Sequence, residues 1–145
     1  MKLHTRRILT AIAFAMIAAL CAGTASAQTR LSDKDLTNMM KNLRDDAKTF
    51  RSLFNKALSK STIRKTSQEK DAQATAQQFE NNVQAMLDQF NSSKKVDATL
   101  PSVMQTATQI EKIKADTPLG PSVNAKWAKV RTELDAISAQ FTMGT

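Results

Sequence analysis

The sequence predicts an all-α protein, an antiparallel up-down four-helix bundle that follows an N-terminal signal peptide. Two observations predict this fold: no Pro or Gly interrupts residues 30–98, and apolar residues recur with a helical rather than a strand period. Four segments each carry one apolar stripe, and none of them could bury its stripe alone. Mutual burial in one bundle with short connections accounts for the whole pattern.

The first 27 residues have the features of a secretory signal peptide. It begins with the basic residues Lys2, Arg6 and Arg7, and an apolar stretch follows at residues 8–20. The small-x-small cleavage site is Ala25-Ser26-Ala27. We expect cleavage after Ala27, so that residues 28–145 form a single helical-bundle domain in the periplasm or outside the cell. A retained N-terminal anchor is the alternative. The mature chain has no predicted transmembrane span.

The first predicted helix begins at Ser32, where Asp35 is placed as in a capping box, and ends near Lys60. Its apolar stripe is Leu36, Met39/Met40, Leu43, Ala47, Phe50, Leu53/Phe54 and Ala57/Leu58. The second helix is capped by Thr66, with Glu69 three residues on, and the polar run 91–95 ends it. Its stripe is Ala72, Ala76, Phe79, Val83, Met86/Leu87 and Phe90, with the 4-3-4-3-4 spacing typical of a coiled-coil seam.

The third helix begins around residues 97–99, with Pro101 in its first turn, and ends at the break 116–121. Its stripe is Leu100, Val103/Met104, Ala107, Ile110 and Ile113. The fourth helix runs from Ser122 to about Phe141, with the stripe Val123, Trp127, Val130, Leu134, Ile137 and Phe141. We expect Trp127 to anchor the core, and an exposed docking face is the alternative. The shorter last two helices leave part of the first hairpin free for a homodimer contact.

Missing residue types exclude most catalytic chemistry. Cleavage would remove the only Cys and the only His, and the chain has no Tyr. Residues 28–145 therefore offer no haem attachment, no usual zinc or di-iron ligands and no Ser-His-Asp or Cys-His group. The pairs Asp33/Asp35 and Asp45/Asp46 lie in hydrophilic stretches, where we expect solvated surface acids. The sequence predicts neither an enzyme nor a cofactor.

Positive charge is expected at one end of the bundle. Loss of three basic residues with the signal lowers the net charge from +8 to +5. In an up-down bundle this excess lies where the first and third helices end and the second and fourth begin. The residues expected there to bind an anionic surface, the basic pole, are Lys56, Lys60, Arg64, Lys65, Lys126 and Lys129. A second basic stripe on helix one comprises Lys34, Lys41, Arg44, Lys48 and Arg51, with Asp45 expected to pair with Lys41 and Lys48.

Three short patterns carry a resemblance to a known group of proteins. They are Phe79-Glu80, Val96-Asp97, and Trp127-x-x-Val130-Arg131-x-x-Leu134-Asp135-x-Ile137. With them the chain resembles a family of small exported helical proteins of environmental bacteria, a family with no known activity. The resemblance implies a helical bundle and brings no site residues.

The favoured function is therefore a non-enzymatic exported bundle that binds an anionic envelope component, such as phospholipid or lipopolysaccharide, or an acidic envelope protein. A chaperone or stress adaptor and a carrier of a small ligand beside Trp127 are the alternatives. A basic surface that only aids solubility also accounts for the charge. Export and the lack of an aromatic set for base stacking exclude nucleic acid as a partner.

Overall fold

The computed structural model describes residues 30–142, and within them every regular element is an α-helix. The four helices are α1 (Asp33–Leu58), α2 (Ser67–Ser93), α3 (Leu100–Asp116) and α4 (Pro121–Thr142). The predicted all-helical class and the four helices are confirmed for this part of the chain. The predicted signal peptide, residues 1–27, lies outside the described residues.

Side-chain caps start the first two helices where the sequence places them. The Ser32 hydroxyl accepts the Asp35 backbone N–H at 3.1 Å and donates to the Asp35 carboxylate at 2.6 Å. The Thr66 hydroxyl accepts the Glu69 backbone N–H at 3.3 Å. Because these hydroxyls satisfy backbone donors that the first turn leaves unpaired, both predicted caps are confirmed.

The end of α2 lies within the polar run 91–95 that the sequence predicts, but later than the start of that run. Residues 91–93 continue the helix to Ser93, and Lys94 caps it with a left-handed φ of 58°. The hydroxyls of Ser92 and Ser93 donate to the Gln89 carbonyl at 3.0 and 2.9 Å, so these side chains bond to the last turn instead of breaking it. The start of α4 is also one residue earlier than expected, with Pro121 following Gly120, whose φ of +90° suits a residue without a side chain.

The four predicted stripes form one core. In α2 every stripe residue is buried, and in α4 only Phe141 of the stripe is partly exposed. Trp127 is 3% exposed, with its ring 4.8 Å from the Phe50 ring and 5.4 Å from the Phe79 ring, centroid to centroid. The prediction that Trp127 is a core anchor is confirmed.

The helices pack unequally. Helix α1 packs closely on α2 and on α4, and α2 packs closely on α3. The Leu31 N–H, just before α1, donates to the Gln140 side chain near the end of α4 at 3.0 Å. Helices α3 and α4 are not a closely packed pair, and a groove lined by residues of both runs between them.

Candidate functional site

Four members of the basic pole form an unpaired cationic group, here called the basic cap: Lys56, Lys60, Arg64 and Lys65. All four are exposed, and none makes an ion pair within residues 30–142. Lys56 and Lys60 line one cleft of about 350 Å³ together with Leu119 and Ser122, at the start of α4. The structure thus brings the end of α1 and the first turn of α4 together around two lysines.

The other two members of the basic pole are engaged elsewhere. The Lys126 ammonium lies 3.0 Å from Asp46 Oδ1, and the Lys129 ammonium lies 2.7 Å from Asp46 Oδ2. Lys129 is also 3.9 Å from the Glu133 carboxylate. Asp46 lies midway along α1, so these two ion pairs connect α4 to α1. The charges of Lys126 and Lys129 are therefore largely compensated.

The Asp46 carboxylate is not the solvated surface acid that the sequence predicts. Its side chain is only 14% exposed. Burial raises the pKa of Asp46, but the hydrogen bonds from Lys129 and Lys126 outweigh this and lower the pKa to about 2. The prediction failed because α4 folds over Asp46, which no local pattern around residue 46 could indicate.

The neighbouring Glu133 carboxyl responds in the opposite sense. Burial, then a hydrogen bond to Asp46 and repulsion by its charge, raise the pKa of Glu133 to about 7. Glu133 Oε2 is buried and accepts no hydrogen bond from a neighbouring group. Protonation of the Glu133 carboxyl removes the cost of leaving this buried charged oxygen unpaired. Two carboxyls with pKa values pushed apart are a pattern that acid–base enzymes use. Here, however, neither carboxyl lines any of the three clefts described in this section.

The basic stripe on α1 is partly neutralised. Arg44 pairs with Asp45 at 2.8 Å, and Arg51 pairs with Glu80 of α2 at 2.7 Å. The expectation that Asp45 pairs with Lys41 and Lys48 is wrong, since Arg44 Nε and Nη2 both donate to Asp45 Oδ1. Charge-assisted bonds from a guanidinium fork are stronger than those from a lysine one turn away.

A second cleft, of about 650 Å³, lies beside the basic cap between the start of α2 and the end of α3. Its apolar lining includes Ile63 and Ile113, and its charged lining consists of Asp71, Lys112 and Asp116. The end of the molecule that carries the basic cap is therefore mixed in charge on this side.

The groove between α3 and α4 has a volume of about 550 Å³. Trp127, Lys114 and Arg131 line it, with Glu111 facing Arg131 at 3.4 Å. The Lys114 ammonium lies 5.8 Å from the centroid of the Trp127 ring, and burial lowers the pKa of Lys114 although Glu111 opposes the effect. The heptad-like stripe predicts the buried face of Trp127 but gives no sign of this groove.

Within the described residues, no group of three acidic, His or Cys side chains is arranged to hold a metal ion. No helix in residues 30–142 is both long and apolar enough to cross a bilayer. Comparisons with protein-family models, with curated proteins and with solved structures find no match to the chain. The resemblance to small exported bacterial proteins stays a prediction.

Proposed function

We propose that this protein is an exported, non-enzymatic helical bundle that binds an anionic lipid surface of the cell envelope through its basic cap. The observation that carries the proposal is that Lys56, Lys60, Arg64 and Lys65 are exposed and unpaired. Elsewhere, at Arg44, Arg51 and Arg131, the arginines are neutralised by neighbouring carboxylates. Phospholipid headgroups and lipopolysaccharide present the same phosphate chemistry to such a cap.

The bundle is proposed to be antiparallel and up-down. Two contacts and one shared cleft support this direction: Leu31, just before α1, bonds to Gln140, Asp46 pairs with Lys126, and Lys56 lines the same cleft as Ser122. Position numbers rise along α1 while they fall along α4, as in an antiparallel pair. This arrangement places the basic cap at one end of the molecule, where it can meet a flat surface end-on.

The expected strength of binding is modest. Each basic residue near an anionic membrane contributes about 1 kcal/mol of electrostatic attraction, so the four cap residues supply about 4 kcal/mol in total. The screening length is about 10 Å at 0.1 M salt, so binding should fall as salt rises.

The chaperone alternative requires an apolar outer face on α1 or α2, and side-chain amides cover much of this face on α2. Gln77 donates to Asn81 at 3.0 Å, and Gln78 donates to Asn82 at 2.8 Å. Amides that bond to one another one turn apart favour a hydrated surface over a binding face for unfolded chains. The catalytic alternative is disfavoured because Lys126 and Lys129 hold Asp46 in ion pairs.

Co-sedimentation of residues 28–145 with vesicles tests the proposal. Vesicles with anionic phospholipid should retain the protein at low salt, and zwitterionic vesicles should not. Replacement of the four cap residues by Gln should remove most of this binding. The matched control replaces four unpaired cations outside the cap: Lys34, Lys41, Lys48 and Lys95. Equal loss in both variants would show that net charge alone acts, and retention only by an acidic envelope protein would replace the lipid with that partner.

A further inference from the structure

Two of the residues that line the groove between α3 and α4 have buried hydrogen-bond donors without a partner. Trp127 lines the groove and is 97% buried, and its indole Nε1 has no hydrogen-bond partner. The Nη1 atom of Arg131, which lines the same groove, is also buried without a partner. An unpaired buried donor costs about 1–3 kcal/mol, so two of them beside one groove require an explanation.

The charges of the lining favour an anion. Lys114 and Arg131 supply two cations, but Arg131 already pairs with Glu111 at 3.4 Å and with Asp135 at 3.3 Å. Among the described residues the Lys114 ammonium therefore makes no ion pair of its own. A monoanion would pair with Lys114, while a cationic ligand would face its like charge.

The rest of the lining favours a ligand with an apolar body. The indole ring of Trp127 and the methyl groups of Ala115 and Ala128 lie beside the cations. The groove has a volume of about 550 Å³ and is largely open to solvent, so it would cover only part of a ligand. In the structure the Lys114 side chain lies over the Trp127 ring, so a ligand enters by displacing this flexible side chain. Pairing with an anion would also compensate its partly desolvated ammonium.

We propose that the α3–α4 groove binds a small carboxylic acid with an aliphatic or aromatic body, whose carboxylate takes hydrogen bonds from Lys114, Arg131 Nη1 and the Trp127 indole N–H. This site is separate from the basic cap and does not depend on lipid binding there. It gives the protein a second, small-molecule ligand of defined chemistry.

The chain carries its own reporter for this site, because Trp127 is its only Trp and it has no Tyr. Octanoate is the probe, and it is titrated into protein purified after expression of the full chain. Octanol and octylamine, which have the same chain length and a different head group, are the comparison compounds. Octanoate should change Trp127 fluorescence saturably, and it should bind about tenfold or more tightly than octanol, since only its head group carries the charge-assisted bonds. Calorimetry measures the same affinities independently of fluorescence.

Lys114→Gln is the decisive variant, because Lys114 is partly exposed and outside the core. It should weaken octanoate binding about tenfold and leave octanol binding unchanged. Lys112→Gln, on the same helix but absent from the groove lining, should bind octanoate as the wild type does. The fourfold cap variant should also bind it normally. The proposal is overturned if octanoate gives no saturable response, if octanol binds equally well, or if Lys114→Gln binds octanoate with wild-type affinity.

Discussion

Replacing Glu133 by Gln should make the protein more stable in mildly alkaline solution. In the folded state the pKa of Glu133 is raised from 4.5 to about 7, chiefly by burial beside Asp46. The unfolded chain ionises this group near its ordinary pKa. The folded state therefore binds one more proton between these two values, and the free energy of unfolding falls as pH rises through this window.

The magnitude follows from the shift. One pKa unit corresponds to about 1.4 kcal/mol. A rise in pKa from 4.5 to about 7 therefore lowers the free energy of unfolding by about 3 kcal/mol once the pH has passed 7. The Glu133 side chain is 21% exposed, so solvent screening reduces the effect only modestly. We expect Glu133→Gln to exceed the wild type in unfolding free energy by about 2–3 kcal/mol at about pH 8 and to differ little below about pH 5. The Gln amide keeps a donor toward Asp46 at both values.

Urea unfolding followed by circular dichroism, at about pH 5 and about pH 8, measures this difference. Residues 30–142 contain no His, so no histidine titrates between pH 5 and pH 8 and adds its own pH dependence. Asp46 stays ionised throughout, since its folded pKa is about 2, and its stabilising contribution is lost only when pH falls from near 4 toward this value. The matched control is Asp45→Asn, an exposed neighbour of Asp46, which should keep the wild-type pH dependence. An equal loss of stability in Glu133→Gln and the wild type between the two pH values would refute the reasoning.

Three further predictions concern the core, a turn and the signal. Trp127→Ala should lower the unfolding free energy by about 3–5 kcal/mol in the same urea assay, because it empties the space between Phe50 and Phe79; a loss under about 1 kcal/mol would contradict a core role. Lys65→Gly should raise the unfolding free energy by about 0.5–1 kcal/mol, because Lys65 holds a left-handed φ of 62°, and Lys65→Ala, which keeps the strain, is the control. Expression of the full chain in a Gram-negative host should yield a periplasmic or secreted protein whose first residue is Gln28 by mass spectrometry; an intact N-terminus would contradict the predicted cleavage.

The helices could be predicted because their signals are local. Apolar spacing and capping residues act within one or two turns, so Ser32, Thr66 and the stripe of α2 could be read directly from neighbouring positions. The end of α2 could be predicted only to within the run 91–95, because Ser92 and Ser93 are as compatible with a last helical turn as with a break. Local chemistry alone does not decide between them.

The charged sites could be predicted only in part because ion pairing is nonlocal. Lys126 and Asp46 are 80 positions apart, and their contact depends on how α4 lies on α1. The sequence therefore places Lys126 and Lys129 correctly in α4. It wrongly assigns them to the anion-binding basic pole, because their charges are paired with Asp46. The spacing of Lys129 and Glu133, one helical turn, is the one local sign of this cluster. The α3–α4 groove has no such sign, since it arises from a pair of helices that do not close on each other.

A position-specific fluorescence measurement decides whether the basic cap meets an anionic surface end-on. Residues 28–145 lack Cys, so an environment-sensitive dye can be attached at Thr62→Cys, in the connection between α1 and α2, or at Asn91→Cys, near the end of α2. Both positions are exposed, and α2 separates them by about 40 Å. With anionic vesicles at low salt, we expect a blue shift of the dye at position 62 and none at position 91. Equal shifts at both positions, or a shift only at position 91, would contradict this expectation.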